Sequence, residues 1–391
     1  MEKIKIGDVC EILNGYAFKS DNYVDAGIRV IRIANVQKGY IEDNTPAFYP
    51  VESDGLEKYM LEEGDLLMSL TGNVGRVALL EKEMLPAALN QRVACLRLKT
   101  DKLIKRYLFH LLNSDLFEQQ CIRASKGVAQ KNMSTEWLRD YEIPLYSREQ
   151  QEQITRVLDE IQYIITSRNE ELAKLDELIK ARFVEMFGDP ISNPMGWDRV
   201  QIDDCVETIE NGKSFVCDSA MRKGEEPAIL KLSAVTYGVY NPDENKAILD
   251  KRDFVKNAEV HSGDLLFTRK NTPELVGMAA YVYDTPKNLM MPDLIFRINP
   301  KKCCRKIYLW RLINHDLFRS QIQSIASGSA KSMSNISKER LGKSPICLPP
   351  LELQIQFEEF VKQVDKSKFA VQKSLEEAQL LFDSLMQEYF G

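Results

Sequence analysis

Several short stretches of this chain carry residue types that do chemistry elsewhere, and each lacks a partner that the chemistry requires. Gly212-Lys213-Ser214 ends like a phosphate-cradling loop, but such a loop needs a glycine five residues before Gly212, where the chain has Glu207. No Gly-x-Gly-x-x-Gly occurs to hold a dinucleotide or a methyl-donor nucleoside. Asn193-Pro194-Met195-Gly196 lacks the second proline and the aromatic residue of the loop that grips a flipped base in amino-methyltransferases. Pro292-Asp293 opens a nuclease-like pattern that no Glu-x-Lys completes, and neither Gly-x-Ser-x-Gly nor His-Glu-x-x-His is present. The three histidines, His110, His261 and His315, are scattered, and none of the eight cysteines lies in a Cys-x-x-Cys pair. The expectation is a chain without catalytic residues or metal, with reduced and mostly buried thiols. It binds.

Two kinds of loop carry groups suited to binding. One mixes small, amide and basic residues: Arg123 through Met133 in the first half, Ser327 through Ser334 in the second. Lysine reaches phosphates, while glutamine or asparagine can bond an adenine edge in pairs. The other follows a Gly-Asp-Leu-Leu phrase: Ser69 through Arg76, and Thr268 through Thr272. The candidate contacts are therefore Thr71, Asn73, Arg76, Lys126, Gln130, Lys131 and Asn132 in the first half. In the second they are Arg269, Lys270, Asn271, Ser327, Lys331 and Ser332. Asn90-Gln91-Arg92 offers similar groups but reads more weakly, because Arg92 also opens a strand pattern.

The elements that position these loops are duplicated. Gly64-Asp65-Leu66-Leu67 returns at 263–266, Asn113-Ser114-Asp115-Leu116-Phe117 at 314–318, Asn14-Gly15 at 211–212, and Met133-Ser134 as Met333-Ser334. Four echoes in one order imply a tandem repeat of about half the chain. Each half closes on a heptad. Ile154, Leu158, Ile161, Ile165, Arg168, Leu172, Leu175, Ile179, Arg182 and Met186 step by four and three. So do Phe357, Val361, Val364, Lys368, Val371, Leu375, Ala378, Phe382, Leu385 and Tyr389. Such a stripe needs a partner, and two of equal length can satisfy each other as an antiparallel coiled coil. The seam would be Leu158, Ile161, Ile165, Leu172, Leu175 and Ile179 against Val361, Val364, Val371, Leu375, Phe382 and Leu385. The alternative is that each helix packs on its own domain.

The globular parts read as mixed α/β. Strands are expected over 29–36, 66–70, 77–80 and 92–98, a helix over 102–122, and short extended segments at 141–146 and 344–350. Gly188 with Asp189-Pro190 ends the first long helix. The organisation predicted is a first recognition domain over 1–147, a helix over 148–188, a second domain over 189–350 and a helix over 351–391.

Composition is that of an ordinary globular protein, with 44% hydrophobic and 28% charged residues. The formal charge of −6 is unevenly spread. Segments 148–187 and 351–390 carry −3 and −4, leaving the remainder near neutral, so total charge neither supports nor excludes nucleic acid. No apolar run approaches the roughly 20 residues that span a bilayer, and the first residues lack a signal-peptide pattern. A cytoplasmic protein with no membrane partner is expected.

Two unlike globular domains alternating with two long helices, the Gly-Asp-Leu-Leu strand and the phrase Leu348-Pro349-Pro350-Leu351-Glu352-Leu353-Gln354 together resemble the specificity subunit of Type I restriction-modification systems. The first half departs from the phrase, reading Ile143-Pro144-Leu145-Tyr146-Ser147-Arg148-Glu149-Gln150-Gln151. The resemblance implies that each domain reads one half of a split, asymmetric site on double-stranded DNA, and that the helix pair sets the unread spacer. It implies two modification subunits that bring S-adenosylmethionine and methylate adenine, restriction subunits that complete the nuclease, and no cofactor on the specificity chain itself. The rival is a scaffold that uses its paired helices as an adaptor and binds no DNA.

Overall fold

A computed structural model describes residues 2–125, 132–328 and 333–391 of the 391 residues. The chain forms two compact units, Met1–Asn169 with Gln372–Gly391, and Glu170–Val371. Each is built around a four-stranded antiparallel sheet. In the first unit the order is Cys10–Asn14, Val93–Leu98, Leu66–Ser69, Val77–Leu79. In the second it is Val206–Asn211, Ile295–Pro300, Leu265–Thr268, Ala279–Tyr281, which is the same topology. A three-stranded mixed sheet lies beside it in both units, with Ile28–Ile31 or Ala228–Leu230 as the central strand.

The Leu-Leu of the repeated phrase is apolar at consecutive positions because both faces of its strand are covered. Side chains alternate across a strand. Leu66 and Met68 enter one core with Tyr107 and Phe117, whereas Leu67 enters another with Ala78 and Cys95. Leu265 and Phe267, against Leu266, repeat the division. The aspartate of the phrase has a different job. Asp65 takes a bidentate pair from Arg97, at 2.9 and 2.7 Å, and accepts the Glu62 N–H at 2.8 Å. Asp264 accepts the His261 N–H at 2.9 Å and lies 3.0 Å from Arg297. The pair locks the turn before one strand to its neighbour, and the hydrogen bond to Asp65 raises the pKa of the Arg97 guanidinium.

Some expected elements are interrupted, each by a local polar side chain. The helix expected over 102–122 is two helices, Lys105–Leu112 and Asp115–Ala124, because Ser114 Oγ accepts the Phe117 N–H and starts a new helix. His315 caps in the same place between Lys306–Asn314 and Asp316–Ser324. The strand expected over 29–36 stops at Ile31, where the Asn35 side chain accepts the Arg32 N–H and closes a turn. The repeat itself shifts at one landmark. Met133 N donates to Leu70 O, and its structural counterpart is Ile336, which donates to Arg269 O. Ser134 and Ser337 then each cap the next helix, so Asn132-Met133-Ser134 corresponds to Asn335-Ile336-Ser337, not to Met333-Ser334.

The long helices run Arg148–Phe187 and Leu351–Phe390, 40 residues each, or about 60 Å at 1.5 Å per residue. Within the second unit, Asp176 meets Lys368 at 2.6 Å and Phe183 meets Phe357 at 5.6 Å between ring centres. One number rises as the other falls, so these stretches are antiparallel. In the first unit Tyr146 bonds Tyr389 O at 3.2 Å, and Ile154 and Leu158 share a core with Met386 and Phe390. Every seam residue expected from the heptads faces inward. Leu158, Ile161, Ile165, Ile179, Val361, Val364 and Val371 are buried, and Leu172, Leu175, Leu375, Phe382 and Leu385 are half-buried. Gly188 ends the first helix with φ +76°.

A buried glutamine ties the start of each long helix to its globular part. Gln151, fully buried, accepts the Ile104 N–H at 2.9 Å and donates to Lys102 O at 2.9 Å and Tyr146 O at 3.0 Å. Gln354 does the same with Arg305 N at 2.8 Å, Cys303 O at 3.1 Å and Pro349 O at 2.8 Å. The glutamine closing the Leu-Pro-Pro-Leu-Glu-Leu-Gln phrase is therefore a structural stitch.

Candidate nucleic-acid interface

At one end of the four-stranded sheet of the first unit, three loops are joined by backbone hydrogen bonds. Leu70 N donates to Arg92 O at 3.0 Å, and Leu70 O accepts from Met133 N at 2.9 Å. Thr71 then bridges Asn132. The Gly15 segment closes the other side, since Gln91 N donates to Tyr16 O at 2.9 Å and Tyr16 N to Leu89 O at 2.8 Å. A Cβ on Gly15 would sit 2.2 Å from the carbonyl of Asn90, and one on Gly212 would sit 2.2 Å from those of Met291 and Pro292. This contact explains why Asn-Gly recurs in both halves: only glycine admits the approach. Within the loop, Ser69 Oγ accepts from Arg76 N at 3.1 Å and donates to Asn73 O, so the backbone is pinned from inside.

Four of the seven candidates of the first half thus have defined surroundings in one place or a defined tie. Thr71 is half-buried, while Asn73 and Asn132 are exposed. Arg76 is half-buried with its guanidinium on Gln37 Oε1, so it is not a free hand. Lys126, Gln130 and Lys131 lie outside the described residues. Gln91 and Arg92, read weakly from sequence, stand exposed on the same edge.

The second unit uses the same stitch. Arg269 N donates to Leu294 O at 3.0 Å, and Arg269 O accepts from Ile336 N at 2.8 Å. Lys270 and Asn271 pair with Asn335 and Ser334 as a short two-stranded ribbon, and Ser327 exchanges two 2.8 Å backbone bonds with Asn335. Arg269 lies over the Phe296 ring at 5.1 Å and reaches Asn335 Oδ1 at 3.2 and 3.3 Å. Asn271 is buried, donates to Thr236 Oγ1 at 3.0 Å and caps Thr272 N, so it serves the fold. Lys331 and Ser332 lie outside the described residues. Sequence reasoning missed Asn335. The signal was available in Asn-Met-Ser against Asn-Ile-Ser, hidden by the stronger identity of Met-Ser.

What this edge can do is set by its groups: the amides of Asn73, Gln91 and Asn132, the hydroxyls of Thr71 and Ser327, the Arg92 guanidinium and the Lys270 ammonium, on backbone tied by hydrogen bonds. These are the donors and acceptors that read base edges and grip phosphates. Among the described residues no group of three or more His, Cys, Asp or Glu side chains could hold a metal ion, and no helix is long and apolar enough to cross a membrane.

Comparison with known proteins agrees with the repeat. The specificity subunit of the Type I restriction enzyme EcoEI from Escherichia coli is 30% identical over 202 residues, covering 50% of this chain and 34% of that protein. That of MjaVIII from Methanocaldococcus jannaschii is 30% identical over 186 residues, 46% of this chain and 43% of that protein. The matching segments thus span less than half the length of these relatives. The EcoBI specificity subunit of Escherichia coli is 23% identical over 413 residues, 98% of this chain and 83% of that protein. In fold, the chain is similar to the crystal structure of a Type I restriction-modification S subunit from M. genitalium, with a TM-score of 0.61 at 12% identity, covering 100% of this chain and 96% of that one. The family described as Type I restriction modification DNA specificity domain matches residues 1–177 and again 194–380, and this chain belongs to it.

Proposed function

We propose that this chain is the sequence-reading subunit of a Type I restriction-modification complex, with each unit reading one half of a bipartite, asymmetric site on double-stranded DNA. One observation carries the reading. The two units build the same three-loop edge with the same backbone bonds, yet display different side chains on it: Thr71, Gln91 and Arg92 in one, Lys270, Asp293 and Leu294 in the other. A shared frame with unlike groups is what two different half-sites call for, and a scaffold would have no use for it.

In this proposal the chain does no covalent chemistry and binds no cofactor. Two modification subunits, carrying S-adenosylmethionine, dock on it and methylate adenine, and restriction subunits join them, in the cytoplasm. The paired helices act as a ruler. Seven residues added to each helix would lengthen it by about 10 Å, which corresponds to about three base pairs of unread spacer.

The test is methylated-base mapping in a host that expresses this chain with its modification partner. A split motif with unlike halves is the expected result; a continuous or palindromic motif overturns the reading. A second measurement follows duplex binding across salt, where phosphate contacts give a linear fall of log affinity with log salt. A flat dependence would favour the scaffold.

A further inference from the structure

We propose that Asp293 reads a cytosine in the half-site of the second unit, an inference that rests on the DNA-reading function above. Pro292-Asp293-Leu294 stands where Asn90-Gln91-Arg92 stands in the first unit. Leu294 O accepts from Arg269 N as Arg92 O accepts from Leu70 N, and Ile295 N donates to Pro292 O as Val93 N donates to Asn90 O. Asp293 therefore occupies the position of the exposed Gln91, on the edge next to Lys270.

Its side chain is held in place. Ser214 Oγ donates to Asp293 Oδ1 and accepts from Asp293 N at 3.1 Å, which joins the Gly212 loop to this turn and orients the carboxylate. Among the described residues no cation pairs with Asp293, and its second oxygen takes no hydrogen bond. The residue is half-buried.

A fixed carboxylate on a surface that approaches phosphates is repelled unless a donor on the DNA meets it. The major-groove edges decide which donor. Guanine shows two acceptors, thymine an acceptor beside a methyl group, and adenine an amino donor next to the N7 acceptor. In a base pair the adenine amino group lies between two acceptors, its own N7 and the O4 of the paired thymine. The cytosine amino group has the O6 of its paired guanine on one side only and a C–H on the other, so cytosine offers a carboxylate a hydrogen bond with the least neighbouring repulsion. The difference between Gln91 and Asp293 is then a difference in base preference at corresponding positions of the two half-sites.

The experiment compares wild type, Asp293→Asn and Asp293→Ala, each expressed with the modification partner, by methylated-base mapping and by binding to duplexes varied one position at a time. Gln91→Ala identifies the half-site that belongs to the first unit. In the other half-site, wild type is expected to require a C·G pair at one position, with discrimination of about 5- to 150-fold. Asp293→Asn keeps an oxygen for Ser214 but replaces the second acceptor with an amide donor. It should lose that discrimination at this one position and leave the first half-site unchanged, which also shows that the variant is folded. If both variants keep the wild-type motif at wild-type stringency, or if the relaxed position is not C·G, the inference is overturned. If wild type itself marks no split site, the underlying function fails first, and the two failures are told apart.

Discussion

The first and second units differ least where they are hidden and most where they face outward. Both lock the turn before the central strand with a buried aspartate, Asp65 or Asp264, on an arginine of the neighbouring strand. Both press a glycine against a carbonyl, and both stitch a long helix to its globular part with a buried glutamine. On the loop edge the first unit has Leu70, Thr71 and Gln91, against Arg269, Lys270 and Asp293 in the second. Selection on the frame and change on the edge are separable because the edge loops are held by backbone bonds, which any residue but proline can make.

The helices offer the sharpest way to break the comparison, since they carry part of each core. Phe183 sits among Phe187, Tyr308 and Phe357 and is 1% exposed. Its counterpart in the repeat, Met386, is 9% exposed beside Phe390 in the core of the first unit. Phe183→Ala is expected to destabilise the second unit by about 3–5 kcal/mol, and Met386→Ala to destabilise the first by about 2–3 kcal/mol. Hydrogen exchange resolved by peptide checks both size and place. If each variant loosens only amides of the unit that holds it, the units are separate cooperative blocks. Uniform loosening would show one block and erase the division.

The buried glutamines should give equal effects, which sharpens the comparison from the other side. Gln151→Ala or Gln354→Ala leaves one buried N–H and two carbonyls without partners. With water reaching part of the gap, each costs about 2–3 kcal/mol. Denaturant melts of the two variants should agree within error; a large inequality would mean that the two stitches are not equivalent in energy.

These glutamines also show what was legible in advance. The heptads exposed the helices and their seam, because a periodic stripe is a local signal, and the duplication pointed to an antiparallel pairing. The Gly-Asp-Leu-Leu strand and the loops after it were equally plain. Ion-pair partners 32 or 33 positions apart, such as Asp65 with Arg97 and Asp264 with Arg297, carry no local mark. The heptads likewise did not mark how far the helices enter the globular cores: of the aromatic side chains around Phe183, Tyr308 and Phe357 come from distant segments. Arg76 and Asn271 have the right chemistry for reading DNA, yet their partners Gln37 and Thr236 engage them. Asp293 was visible only as part of a failed nuclease pattern.

Acidification should weaken both units in the same direction. Burial lowers the pKa of His110, against the opposing pull of Asp159, and burial likewise lowers that of His315. The folded chain therefore takes these protons at lower pH than the unfolded chain does. Their stabilising contribution is present above the ordinary histidine value of 6.5 and is lost as pH falls through the folded values. For Asp159, burial raises the pKa, but hydrogen bonds from His110 and Arg106 outweigh it and leave it lowered, which adds loss at still lower pH. Melting temperature should drop between pH 7 and pH 5, and His110→Asn should flatten the drop for the first unit alone.

The smallest effect separates the two seams. Lys368 interrupts the apolar seam in the second unit and meets Asp176 at 2.6 Å, with side chains 24% and 49% exposed. The matching position in the first unit is Ile165, which is buried. A pair this exposed contributes less than about 1 kcal/mol, while an isoleucine in its place would gain apolar burial. Lys368→Ile is therefore expected to leave stability unchanged or raise it by up to about 1 kcal/mol. A polar residue at one seam position fixes register at some cost in stability, so the gain should come with looser pairing. Cysteines placed at positions 179 and 364 report register with the Asp176–Lys368 pair left intact, and in the otherwise unchanged chain they should crosslink each other cleanly. With Ile at 368 and the same thiol pair at 179 and 364, crosslinking should become slower and less specific. Equal crosslinking in both would show that the apolar stripe alone sets the register, and that Lys368 is merely tolerated.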